Sequence, residues 1–125
     1  METHGHMSDM KAIEERRESA HQRLLALDSN VYKAFLRMEQ AAYSDGALTK
    51  KHKELVAIGI SVVVNCESCM QWHIEQAARA NASFEEVLEA VEVGIEMGGG
   101  PATVAARFAL EAMDAAYKRG AVGRS

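Results

Sequence analysis

From residue 8 onward, apolar positions recur at the three- and four-residue spacing of helices, punctuated by polar caps. Ser8 or Asp9 caps a first helix reaching Leu27. It is charged along most of its length, with Ile13, Leu24 and Leu27 among its few apolar anchors, so it needs a neighbour to dock on, which another subunit can supply. Ser29 or Asn30 caps a second helix, in which Val31, Phe35, Met38 and Ala42 recur at helical spacing before Asp45-Gly46 ends it. Thr49 caps a third, which opens with Lys50, Lys51, His52 and Lys53 and turns almost continuously apolar from Leu55 to Val64. Such a run also suits a buried strand, because Val62, Val63 and Val64 are β-branched. No second strand exists to pair with it, so it reads as a helix buried on several sides, central or in a subunit interface. Asn65 breaks the run and caps a fourth helix that continues through Ile74, Ala77 and Ala78 to a stop near Asn81. The capping box Ser83 to Glu86 opens a fifth, with Val87, Leu88, Val91 and Ile95 on one face. Gly98-Gly99-Gly100-Pro101 ends that helix and starts a sixth, which carries Val104, Phe108 and Ala112 and runs to about Lys118.

The pattern therefore predicts an all-α bundle of about six helices in one domain, residues 8–120, after a frayed tail, residues 1–7, in which His4 and His6 are read as disordered. Length and composition agree: 125 residues, 48% hydrophobic, 26% charged and only 6% aromatic, a mix that suits helices packed through small side chains. A net charge of -4 with no basic stripe speaks against a nucleic-acid surface. No run approaches the ~20 apolar residues of a membrane helix, and no signal-peptide pattern follows the N-terminus, so a cytoplasmic location is expected. A structural disulfide is unusual there, which leaves the two cysteines to redox, metal or core roles.

Those cysteines stand in the arrangement Cys66-x-x-Cys69-x-x-x-His73, twelve residues after Glu54. On a helix the three side chains fall within roughly a 60° arc. Both thiols lie in the first turn, where orphan N–H groups and the dipole favour thiolate. Along one straight helix Glu54 would be about 18 Å from Cys66. If the chain reverses near Asn65, Glu54 and His73 come level, and a carboxylate there orients the imidazole and raises its basicity. A lone Glu in an apolar helix also demands a partner. Other uses remain open: two small buried hydrophobes, or a zinc site in which Cys66, Cys69 and His73 are joined by Glu54 or His52. The basic block from Lys50 to Lys53 is either a solvated first turn or a local positive field near the thiols.

Glu, eleven residues, then Cys-x-x-Cys-x-x-x-His, inside an all-helical domain of this size, resembles the AhpD-like / carboxymuconolactone decarboxylase family. Leu55 to Val64 before the cysteines and Met97-Gly-Gly-Gly-Pro101 before the last helix add to the resemblance, which spans roughly residues 28 to 118. It implies a homo-oligomer, trimeric or hexameric, and a thiol peroxidase or disulfide reductase cycle without metal, haem or other cofactor. Carried over by position, Cys69 attacks peroxide, Cys66 resolves the sulfenic acid, and Glu54 with His73 forms the proton relay. An external dithiol, such as a protein-bound lipoyl group on a reductant protein, then reduces the disulfide. Helix position alone favours Cys66 as the more acidic thiol, whereas proximity to His73 favours Cys69. Ser68 departs from the His that the best-known members carry there; with His52 it is a candidate to support the four site residues from behind. The lyases that give the family its name generally do not use the Cys pair.

Overall fold

The computed structural model describes residues 6–119. Among them are six helices and no strand: α1 (His6–Ala26), α2 (Asn30–Ala42), α3 (Lys50–Val64), α4 (Glu67–Arg79), α5 (Phe84–Gly98) and α6 (Gly100–Ala116). The all-α expectation holds. Helix α1 begins at His6, inside the stretch read as a tail, while His4 lies outside the described residues. No helix among these residues is long and apolar enough to cross a membrane.

Local chemistry explains most of the boundaries. Ser29 accepts from the Tyr32 N–H, Thr49 from the His52 N–H, and Ser83 and Glu86 close both halves of a capping box. Each such cap contributes about 1 kcal/mol. Between α5 and α6 the chain turns at Gly99, whose φ of 73° disfavours any residue with a β-carbon.

Helix α3 packs against α4, α5 and α6, and α6 also packs against α4 and α5. The core between them is Ile58 and Val62 from α3, Met70 and Ile74 from α4, Val87 and Val91 from α5, and Met113 from α6. The inward face of α6 is otherwise a stripe of small residues, Ala102, Ala105, Ala109 and Ala112, whereas Val104 is 54% exposed. Small side chains let α4 approach closely, which the apolar spacing of Val104 and Phe108 had not foreshadowed. Where α3 crosses α5 the backbones touch: a β-carbon on Gly94 would sit 2.7 Å from the Gly59 carbonyl oxygen.

Two expectations change. Helix α1 finds its neighbour within the chain, packing on α6 with Met10 in the core. Helix α2 buries none of its residues; Val31 is 83% exposed and Met38 61%. It meets the rest of the fold through its other side, where Tyr32 bonds to His21 of α1 and Leu36 lines a cavity with residues of α3 and α4. Helix α3 is central, yet Val56, Ile60 and Val64 stay exposed on its outer edge.

Candidate active site

The reversal between α3 and α4 takes two residues with separate duties. Asn65 adopts the left-handed conformation (φ 57°, ψ 49°), and its N–H is bonded to the carbonyls of Ser61 and Val62. It closes α3 rather than opening α4, a role that Asn fills because it tolerates this conformation better than most residues. Cys66 is then the cap of α4, its Sγ accepting from the Cys69 N–H at 3.2 Å. Cys66 therefore stands outside the helix, and only Cys69, at its third position, keeps the expected one-turn relation to His73. The two cysteines are joined by a disulfide, their Cα atoms 5.2 Å apart.

The same reversal brings Glu54 level with His73. Oε1 of Glu54 lies 2.7 Å from His73 Nδ1, although the two residues are nineteen apart in sequence. Glu54 is 1% exposed and is bound on its other oxygen by Lys50 Nζ at 2.6 Å. Burial alone pushes this carboxyl up; the hydrogen bonds from His73 and Lys50, reinforced by their charge, outweigh it and hold Glu54 below the ordinary carboxylate range. An ionised carboxylate only accepts hydrogen bonds, so His73 carries a proton on Nδ1, and in the neutral imidazole Nε2 is then the acceptor nitrogen. That tautomer is the one a base one turn from Cys69 requires.

Lys50 and Tyr43 complete the surroundings; from sequence Lys50 is only part of the basic block, not a partner of Glu54, and Tyr43 is not singled out. The Tyr43 ring packs 5.2 Å from that of His73, with Lys50 Nζ 5.7 Å from its centroid. Burial, then Glu54 and Glu39, raise the Tyr43 pKa, so this phenol is a neutral wall. Lys50 was findable: it lies four residues before the buried Glu54, on the same helix face. A cavity of about 310 Å³ opens beside the relay, lined by Leu36, Tyr43, Lys50, Glu54 and Trp72 among others. A larger groove of about 680 Å³ lies between α3 and α5, lined by apolar residues such as Val56, Ile60, Val93 and Met97, and none of the four candidate residues borders it.

The basic block does not act as one field. Lys50 is bound to Glu54, Lys51 to Glu86, and Lys53 donates to the Ser44 carbonyl. His52 stays exposed at the start of α3, its Nδ1 2.9 Å from the Thr49 hydroxyl, and is not brought to the cysteines. Ser68 is brought into a contact of its own: Arg17 of α1 donates to both its carbonyl and its hydroxyl oxygen at 3.0 Å. Among the described residues, no group of three or more His, Cys, Asp or Glu side chains is placed to hold a metal ion.

Residues 29–112 match the model of the carboxymuconolactone decarboxylase family. The chain belongs to that family. An uncharacterised protein of Cupriavidus necator is 40% identical over 82 residues, 66% of this chain and 73% of that one. An uncharacterised protein of the cox locus of Paracoccus denitrificans is 37% identical over 81 residues, 65% of this chain and 73% of its own length. The fold also superimposes on crystal structures of two family proteins. One, from Legionella pneumophila, has a TM-score of 0.78 at 30% identity over 89% of this chain and 96% of that one. The other, from Thermotoga maritima, has a TM-score of 0.78 at 25% identity over 86% of this chain and 91% of that one, and its description suggests involvement in an antioxidative response.

Proposed function

We propose that this protein is a thiol-dependent peroxidase or disulfide oxidoreductase working through Cys66 and Cys69. The observation that carries this reading is the placement of a cysteine pair at disulfide distance one turn ahead of an imidazole that a buried, doubly bonded carboxylate orients. In the reduced enzyme His73 Nε2 takes the proton of the Cys69 thiol, directly or through water, and Glu54 stabilises the imidazolium that results. The Cys69 thiolate attacks one peroxide oxygen; the O–O bond breaks, the sulfur becomes a sulfenic acid, and the departing alkoxide takes the proton from His73. The Cys66 thiol then attacks that sulfur, forming the Cys66–Cys69 disulfide and releasing water. An external dithiol, such as a protein-bound lipoyl group on a partner protein, reduces the disulfide by exchange and is itself oxidised.

Cys69 takes the attacking role because it sits inside the first turn of α4 and one turn from His73, whereas Cys66, as the cap, is placed to resolve. The suggested antioxidative role of the Thermotoga maritima protein is consistent with this chemistry. The assembly we propose is a homotrimer or homohexamer, supported by the exposed apolar residues of α2 and of the outer edge of α3, and the location we propose is the cytoplasm.

The test is turnover of cumene hydroperoxide with dihydrolipoamide as reductant, in wild type, Cys66→Ser and Cys69→Ser. Both variants are expected to lose turnover, with a trappable sulfenic acid in Cys66→Ser alone. A wild type that turns over no peroxide, and whose thiols neither peroxide nor oxidised lipoamide changes, would overturn the reading in favour of lyase chemistry of the kind that names the family.

A further inference from the structure

We propose that Arg17 is a positioning residue for the cysteine pair: from α1 it fixes the serine between the two sulfurs and sets a permanent cation beside them, favouring the thiolate. This deepens the thiol reading above and rests on it.

The contact is specific. A single guanidinium nitrogen, Nη2, donates at 3.0 Å to both the carbonyl and the hydroxyl oxygen of Ser68. The rest of the guanidinium lies over the Trp72 ring, 5.2 Å from its centroid. Ser68 and Trp72 are one turn apart on the same face of α4, and Cys69 follows Ser68 directly, so the cation is pinned within about one helical turn of the attacking sulfur. A lysine ammonium lacks the planar fork that lets one group bond and stack at once.

The bond to the hydroxyl also has a direction. Ser68 Oγ accepts from Arg17, so its own proton points elsewhere and is free to donate. Arg17 thus acts on the pair through its charge, which the bonds to Ser68 hold beside the Cys-x-x-Cys segment.

The surrounding charges leave this role open. Glu67, between the cysteines, opposes a thiolate, and Arg16 lines the same small cavity of about 270 Å³ as Arg17, Glu67 and Ser68. Glu14 accepts from Gln71 and, with Glu75, helps keep Arg17 charged against the effect of its partial burial. From α3, Glu54 is already bound by Lys50 and His73, and from the end of α2 the Tyr43 ring faces His73. Among the described residues, Arg17 is the cation that bonds within the Cys-x-x-Cys segment, and it comes from α1, which precedes the residues matched by the family model.

The experiment is the pH dependence of iodoacetamide alkylation of the fully reduced protein in wild type, Arg17→Gln, Arg17→Lys and Ser68→Ala, with far-UV circular dichroism and melting to confirm folding. Arg17→Gln is expected to move the midpoint of the more acidic thiol up by about 0.5 to 1 pH unit, an effect of losing a nearby opposite charge. Arg17→Lys keeps the charge and is expected to move it by less than half as much. Ser68→Ala, which leaves α1 unaltered, is expected to shift it upward by a smaller step. An unchanged midpoint in both Arg17→Gln and Ser68→Ala, or Lys moving it as far as Gln, overturns the proposal. Alkylation reads thiol acidity without any turnover. A wild type that reduces no peroxide therefore counts against the proposed function alone, and an unmoved midpoint counts against Arg17 alone.

Discussion

In the α3–α4 hairpin, Glu54, Ile58, Val62, Met70 and Ile74 are buried, and each polar atom of Glu54 has a partner across or along the hairpin. In α2, a few residues earlier, an equally regular apolar series, Val31, Phe35 and Met38, faces outward, and no residue is buried. The two regions show that apolar periodicity reports a face that wants cover, not one that a single chain covers. The hairpin satisfies its face internally because one left-handed residue, Asn65, turns α4 back onto α3. Helix α2 turns Leu36, Glu39 and Gln40 to the cavity beside the relay and leaves its apolar side exposed.

That contrast can be broken first at the hairpin. His73→Gln is expected to slow oxidation of the reduced thiols by about 10² to 10⁴, the range for loss of a general base, with little change in melting temperature. A rate within twofold of wild type, read by stopped flow, would remove the relay. Glu54→Gln leaves Lys50 without its carboxylate and is expected to cost about 2 to 4 kcal/mol in urea unfolding, below the full buried-pair penalty because the Lys50 side chain is 42% exposed. Since Glu54 is held below its ordinary value of 4.5, its stabilising contribution is present above that pH and is lost as pH falls through the lower folded-state value. Wild type should therefore lose more stability on acidification than Glu54→Gln does. Gly94→Ala drives a methyl into the α3 backbone and is expected to cost about 1 to 3 kcal/mol. The smallest effect is expected on α2: Phe35→Ala, measured at a dilution where sedimentation shows monomer, should change stability by no more than about 0.5 kcal/mol. A loss several times larger would show that the stripe is covered within the chain, and the contrast would collapse.

The sequence was most informative where local chemistry decides the outcome. Thr49, Ser83 with Glu86, and Gly99 are caps and turns whose side chain or φ fixes the element, so their roles were legible in advance. The Glu54–His73 contact was also legible, because a lone acid in an apolar run and an imidazole equidistant from a break ask for the same reversal. The details of that reversal were not: Asn65 and Cys66 divide the capping between them, and a one-residue shift moves Cys66 off the helix. Nor could spacing reveal that alanines, rather than Val104, face the core from α6, since that depends on how closely α4 approaches. Arg17 was out of reach for a plainer reason. Its partner Ser68 is 51 residues away, and nothing in a charged helix distinguishes one arginine from the next.

The most direct test of the thiol cycle is the intact mass of the fully reduced protein before and after one equivalent of cumene hydroperoxide. Complete conversion is expected, within a single turnover, to a species lighter by two hydrogens with both thiols blocked to alkylation. A protein that keeps its mass and both free thiols, with oxidised lipoamide offered as well as peroxide, would contradict it.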